Sequence, residues 1–126
     1  MDPQAWSDSL AAEVLCAERL VSLTDQQQSL LIQRNFNDLT GNLTAQRIAV
    51  EELFILSRRR SEAQQLLASQ CQLPTPGKRL DIYPFLHPDE AQTIEQVVAH
   101  LQRLMDSCQR VFRQNQLLMG RTIELA

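Results

Sequence analysis

The chain has 126 residues, of which 44% are hydrophobic and 21% are charged, so it is long and apolar enough for one domain with a core. It has only six aromatic residues and three glycines, which argues against a strand-rich fold. Its net charge of −3 argues against a nucleic-acid-binding protein. The abundance of Leu, Gln, Ala, Arg and Glu predicts helices.

Residues that commonly hold metals or cofactors are few and scattered. Cys16, Cys71 and Cys108 form no CxxC or Cys/His cluster, which predicts reduced, buried thiols and no zinc site. No apolar run approaches the roughly 20 residues of a membrane span. The N-terminal MDPQAW lacks the basic and apolar regions of a signal peptide. We therefore expect a cytoplasmic protein with no cofactor, no metal, no membrane insertion and no nucleic-acid partner.

The first long helix is predicted at about 4–34. Its inward residues alternate between spacings of four and three, which is typical of a coiled-coil seam. That seam consists of Leu10, Val14, Ala17, Val21, Thr24, Gln28 and Leu31. The Asn-rich stretch 34–42 predicts a turn or a restart of the helix, with Asn35 or Asn37 as N-cap. A single unbroken helix through this stretch is the alternative.

The second long helix is predicted at about 38–70 and keeps the same spacing. Its seam consists of Leu39, Leu43, Gln46, Val50, Leu53, Ser57, Arg60, Gln64 and Leu67. Further apolar residues widen the stripe, namely Phe36, Ile48, Phe54, Ile55, Leu56 and Leu66. A stripe wider than one seam implies contact with more than one neighbour. The arginines at 58–60 are interpreted as a solvated face.

A proline-rich connector is predicted at 72–88, and we expect its apolar residues to lie across the helix ends. These residues are Ile82, Tyr83, Phe85 and Leu86. A third long helix is predicted at about 89–125, with Pro88 at its first position. It carries two seams side by side. One consists of Ile94, Val98, Leu101, Met105, Cys108, Phe112, Asn115, Met119 and Thr122, and the other of Val97, Leu104, Val111, Leu118 and Leu125.

These elements predict an all-α fold, a single domain over residues 1–126. The expected architecture is an elongated antiparallel bundle of three long helices with coiled-coil-like packing. Residues 34–80 carry an excess of basic groups, and the segments on either side carry an excess of acidic groups. That alternation fits antiparallel packing of oppositely charged helices. A bundle this thin is poorly suited to enclosing a substrate.

The two histidines are the remaining candidates for chemistry. His87 precedes a proline and is interpreted as a cap or a loop residue. His100 stands alone on a helix, as a phosphoacceptor does in histidine phosphotransfer domains. Those domains place a Lys and a small residue shortly after the histidine, whereas Gln102 and Arg103 stand here. The sequence therefore predicts a binding protein and not an enzyme.

Three segments carry a family resemblance: NDL at 37–39, LTAQRIAVEELFILSRRRSEAQQLL at 43–67 and RQNQLLMGRTIEL at 113–125. They resemble the FlgN family of flagellar type III export chaperones. The matching positions are Arg47, Leu53, Leu56, Arg59 or Arg60, Leu66, Leu67, Asn115, Leu117 and Leu118. The chain departs from the family pattern in two places. The connector is richer in proline and aromatic residues, and family members often carry a polar tail after the last helix.

The resemblance implies binding of hook-associated flagellar proteins in the cytoplasm, with delivery to export apparatus components. The chaperone would hold their C-terminal helices, because a helix with an apolar face can receive an amphipathic segment. We expect the end of the third helix to bind the partner, with Asn115 setting the register. The residues in this hypothesis are Asn115, Leu117, Leu118, Met119, Thr122, Ile123 and Leu125.

A second interpretation stays open at this point. Both seams of the third helix could be covered by the other helices or by a second copy in a homodimer. The protein would then be a structural coiled-coil adaptor or a self-associating subunit without an export role. A chaperone would take up a foreign helix, roughly one per chain, whereas a structural subunit would be saturated by its own copies.

Overall fold

The structure is a computed structural model that describes the backbone of residues 2–125 and the side chains of residues 2–120. Its helices are α1 (Gln4–Ile32), α2 (Phe36–Gln70), α3 (Arg79–Ile82) and α4 (Pro88–Leu125). No strand occurs among the described residues, so the all-α prediction is confirmed. The predicted bundle of three long helices is confirmed in part, since a fourth, short helix is also present. The connector forms the short α3 and a 3-10 turn at Tyr83–Phe85, because its apolar residues pack into the core.

A tight turn separates α1 from α2. Arg34 adopts a left-handed φ of 55°, and the N–H of Asn35 donates to the Leu30 carbonyl at 2.9 Å, as in a Schellman ending. The side chain of Asn35 then caps α2 by accepting from the N–H of Asp38 at 3.3 Å. The alternative of one unbroken helix is therefore wrong. The break is also shorter than expected, since residues 37–42 lie inside α2.

The long helices run up, down and up. In the polar contacts between α1 and α2, residues later in α1 contact residues earlier in α2. In the contacts between α1 and α4, residues later in α1 contact residues later in α4. The pairs are Glu13–Arg60 and Leu23–Asn42 for α1 with α2, and Glu18–His100 and Gln28–Gln114 for α1 with α4. Thus α2 is antiparallel to its neighbours, and α1 and α4 are parallel.

Of the three long helices, α1 is the central one. It packs along both α2 and α4, whereas no Cα atom of α2 comes within 8 Å of one in α4 in the described chain. The gap between α2 and α4, with α1 as its floor, is called the groove below. At 38 residues, α4 is about 57 Å long, since an α-helix rises 1.5 Å per residue. The groove is therefore long and open.

The larger apolar cluster lies at the end of the molecule that holds the connector, and a smaller one, Leu20, Ala49 and Cys108, lies farther along the bundle. The larger cluster consists of Trp6, Leu10, Ala17, Leu67, Ala68, Ile82, Leu86, Ile94 and Leu101. Ile82 is fully buried and Leu86 nearly so, in line with the prediction that connector residues lie across the helix ends, whereas Phe85 is half exposed. Gly77 lies so close to α2 that a Cβ there would overlap Ala68. The connector is thereby pressed against the bundle.

Residues at the start of α4 cap its first turn. Pro88 occupies the first helical position, as predicted. The N–H of Asp89 donates to Nδ1 of His87 at 3.2 Å, and the N–H of His87 donates to Oε1 of Glu90 at 3.1 Å. This reciprocal pair is a capping box with His87 as the N-cap. His87 is therefore a cap, which was one of its two interpretations.

The seam predicted for α2 is wrong at two positions. Asn42 and Ala49 face α1, whereas Leu43 and Val50, one residue later, are 42% and 40% exposed. The cause is a close approach between the helices. The thiol of Cys16 donates to the carbonyl of Ala49 at 3.3 Å, a contact for which a large side chain leaves no room. Small and polar residues hold α2 on α1, and the larger apolar ones are turned aside.

Candidate partner-binding groove

The end of the groove nearest the connector is a cavity of about 450 Å³. Its walls come from α1, α2, α4 and residues 76–80 of the connector, which include the start of α3, so it lies where the groove meets the connector. Gln65 marks the α2 wall and Val98 the α4 wall. The amide nitrogens of Gln64 and Gln65 both donate to the carbonyl of Gly77, at 2.9 Å and 3.1 Å. These bonds fix the loop that closes this end.

An apolar stripe runs from the cavity along α2. Phe54 precedes Gln65 by eleven residues and Leu43 precedes Phe54 by eleven, which is close to the 10.8 residues in three helical turns. All three therefore lie on one line of the helix. The α2 stripe consists of Phe36, Leu43, Val50 and Phe54, which are between 40% and 74% exposed. These four residues give the α2 side of the groove an apolar surface open to solvent.

A second stripe lies opposite, on α4. Val98, Met105, Phe112 and Met119 follow one another at intervals of seven, close to the 7.2 residues in two turns. Phe112 is 43% exposed, although the sequence placed it in a buried seam. The other three are half-buried. The α4 stripe thus carries two methionines, whose flexible side chains adapt to different partners.

The residues predicted to bind a partner do not form one surface. Asn115 is fully buried against α1, Leu118 and Met119 are half-buried, and Leu117 is 66% exposed. Leu117 is two residues beyond Asn115, so it points away from α1. The side chains of Thr122, Ile123 and Leu125 lie outside the described residues.

Asn115 belongs to a buried polar layer that joins the three long helices. Its Nδ2 donates to the Thr24 carbonyl at 2.9 Å and to Oε1 of Gln27 at 3.0 Å. Gln27 Oε1 also accepts from Nε2 of Gln46 in α2 at 2.9 Å, and Gln46 donates to Asn42 at 2.7 Å. Gln27 is therefore the centre of the layer. The register that Asn115 helps to set is that of α4 on α1.

The two arginines that line the cavity are each paired with a carboxylate. Nε of Arg60 donates to Glu13 at 2.7 Å, and Nε of Arg79 donates to Glu95 at 3.1 Å. The phenol of Tyr83 also donates to Glu95, and burial together with this bond raises the pKa of Tyr83 to about 12. The hydrogen bonds from Arg79 and Tyr83 lower the pKa of Glu95. Near neutral pH, Glu95 is therefore ionised and Tyr83 is neutral, and these contacts hold the connector on α4.

The other titratable candidates offer no catalytic arrangement. Burial raises the pKa of both the Cys16 and the Cys108 thiols, so both stay protonated at neutral pH. Nε2 of His100 lies 3.7 Å from Oε1 of Glu18 on the surface between α1 and α4, an ion pair when the imidazole is protonated. Among the described residues, no group of His, Cys, Asp or Glu is arranged to hold a metal ion.

The whole chain, residues 1–126, matches the family model described as FlgN protein. The chain belongs to the FlgN family. This is a family of flagellar export chaperones and not of enzymes, which agrees with the expectation of a binding protein. No curated protein and no solved structure matches the chain significantly. None of the helices in the described part of this FlgN-family chain has the length and hydropathy of a membrane span.

The α2 stripe is the part of the site that sequence reasoning missed. The signal was present, because Phe36 and Phe54 widened the apolar face beyond one seam. The extra width predicted contact with more than one neighbour but did not say that one of these neighbours lies outside the bundle. Asn42 and Ala49 mark where α2 approaches α1, so the apolar residues beside them face away from that interface.

Proposed function

We propose that this protein is a cytoplasmic export chaperone that binds the C-terminal helical segments of hook-associated flagellar proteins before type III secretion. Family membership supports the general role. The observation that carries the specific proposal is the open groove between α2 and α4, with exposed apolar side chains on both walls. Several large apolar side chains exposed along one groove are typical of an interaction site.

The bound segment would complete a four-helix arrangement. Its apolar face would cover Phe54 and Leu43 on one wall and Phe112 on the other, by the helix-in-groove mode of recognition. Met119 would contribute at the far end of the groove. Leu118 follows His100 by eighteen residues, five full turns, so it lies on the opposite flank of α4, and Leu117 points away from α1; neither lines the groove. Of the end of α4 predicted from sequence, Met119 thus stays part of the proposal, on one wall of the groove.

The test is calorimetric titration of the protein with C-terminal segments of the hook-associated proteins from the same organism. We expect binding near one-to-one, with the negative heat-capacity change of apolar burial. Phe54→Asp should weaken binding at least tenfold, because it places a charge on the groove wall. Ile55→Asp is the matched control, since Ile55 is 52% exposed on the adjacent residue but turned about 100° away from the stripe.

Two results would contradict the proposal. Equal loss of affinity in both variants would mean that the stripe is not the contact surface. No heat from any segment, together with a stable homo-oligomer by light scattering, would favour the self-associating structural subunit. Circular dichroism of each variant checks that helix content is retained.

A further inference from the structure

The cavity at the connector end determines what can fill the groove there. Residues 76–80 close this end, so a helix lying in the groove must stop at the cavity. From Gln65 to Phe36 the α2 wall extends about 44 Å, the length of roughly thirty helical residues. A partner helix of that length would have one of its two ends inside the cavity. The chemistry of the lining decides which end.

The lining has hydrogen-bond donors that lack acceptors. Trp6 lines the cavity and is 1% exposed, and its indole N–H has no hydrogen-bond partner. A buried donor without an acceptor is unfavourable, so such groups are rare in folded proteins. Lys78, an exposed residue, also lines the cavity and makes no ion pair in the described part of the chain. The Trp6 N–H therefore lacks an acceptor, and Lys78 adds an unpaired positive charge to the same lining.

The negatively charged groups around the cavity are already engaged. The carboxylate of Glu13 accepts from Nε and Nη2 of Arg60, and that of Glu95 accepts from Arg79 and Tyr83. The Gly77 carbonyl accepts from two glutamine amides. Lys78 is thus the unbalanced charge, and the site favours an anion that only accepts hydrogen bonds.

We propose that this cavity binds the terminal carboxylate of a partner helix that lies in the groove. A carboxylate carries negative charge and only accepts hydrogen bonds, as the lining requires. The C-terminal end of a helix also carries partial negative charge and carbonyls without partners. The partner therefore runs parallel to α2 and antiparallel to α1 and α4. This inference rests on the proposed function. It adds the orientation of the cargo helix and a site that binds its terminal carboxylate.

The experiment compares two forms of one synthetic peptide, the last thirty or so residues of a hook-associated protein. One form ends in the free carboxylate and the other in a C-terminal amide. We expect the amide to bind the wild-type chain about tenfold more weakly, because a charge-assisted interaction is lost. Lys78→Met and Trp6→Phe should weaken binding of the carboxylate form and narrow the difference between the two forms.

Arg103→Met is the matched control. Arg103 is exposed and follows Gln102, a lining residue, but it does not line the cavity itself, so the same change of charge should leave the discrimination intact. The chain has one tryptophan, Trp6, so its fluorescence reports directly on the cavity. We expect the emission to change with the carboxylate peptide and to change less with a peptide shortened by its last three residues.

The outcomes separate the two proposals. Equal affinity of both peptide forms for the wild-type chain would overturn the carboxylate site and leave the chaperone proposal standing. Discrimination that persists in both Lys78→Met and Trp6→Phe would also overturn it, by placing the carboxylate elsewhere. Failure of both forms to bind would overturn the chaperone proposal, and the carboxylate site with it.

Discussion

At the scale of single residues, substitutions of Gln27 and of Asn115 differ in the buried polar groups that they leave without partners. Asn115 has a buried Oδ1 without a partner, so Asn115→Leu removes an unfavourable group along with its bonds. Gln27 accepts from both Asn115 and Gln46, so Gln27→Leu removes one of the two acceptors of each of these buried amides. We expect Gln27→Leu to lower the free energy of unfolding by about 2 kcal/mol and Asn115→Leu to leave it unchanged or raise it.

Urea denaturation measures both changes, and the double variant measures their coupling. Once Gln27 is leucine, Asn115 loses one of its two acceptors, so the second substitution should recover stability. We expect a coupling free energy of about 1 kcal/mol or more between the two sites. Additive effects, or a large destabilisation by Asn115→Leu alone, would contradict this account of the polar layer.

At the scale of elements, neighbouring residues of α2 have different roles: some stabilise the fold, and others are proposed to bind the partner. Ala49 is fully buried where α2 approaches α1, so Ala49→Leu should lower the free energy of unfolding by about 1–3 kcal/mol through overpacking. Leu43 and Val50 are exposed on the groove wall, so truncation of either to alanine should change it by less than about 0.5 kcal/mol. The same truncations should weaken cargo binding. A stability loss at Leu43 comparable to that at Ala49 would mean that the seam predicted from sequence is the right one.

The helix α2 also shows which features of the fold can be predicted from the sequence and which cannot. Most of the seams of α1 and α4 could be predicted because their large apolar residues lie at the interfaces; Leu10, Leu31 and Leu101 are all buried, although Gln27 is buried in place of the predicted Gln28 and Phe112 is exposed. On α2 the rule that large apolar residues point inward fails. Interfaces there use Asn42 and Ala49, whose burial depends on the neighbouring helix and not on their own hydropathy. The groove could not be predicted for the same reason, since it is a property of how far apart two helices stand.

At the scale of the whole molecule, stability is unevenly distributed along the bundle. The connector end holds the larger apolar cluster, with Trp6 and Ile82 buried at its centre, whereas the far end is joined by the polar layer around Gln27. A buried hydrogen bond contributes less net free energy to folding than the burial of a large apolar side chain does. The end of α4 should therefore open locally more easily than the connector end, which suits a surface that must receive a partner.

Hydrogen exchange measured by mass spectrometry tests this gradient in the free and cargo-bound protein. In the free protein, amides around Leu10 and Leu101 should exchange at least tenfold more slowly than amides around Gln27 and Asn115, because the polar end opens at lower free energy. Cargo that fills the groove should slow exchange at the polar end most, since the apolar end is already protected. Uniform protection in the free protein, or slowing confined to the connector end, would mean that the groove is not filled along its length.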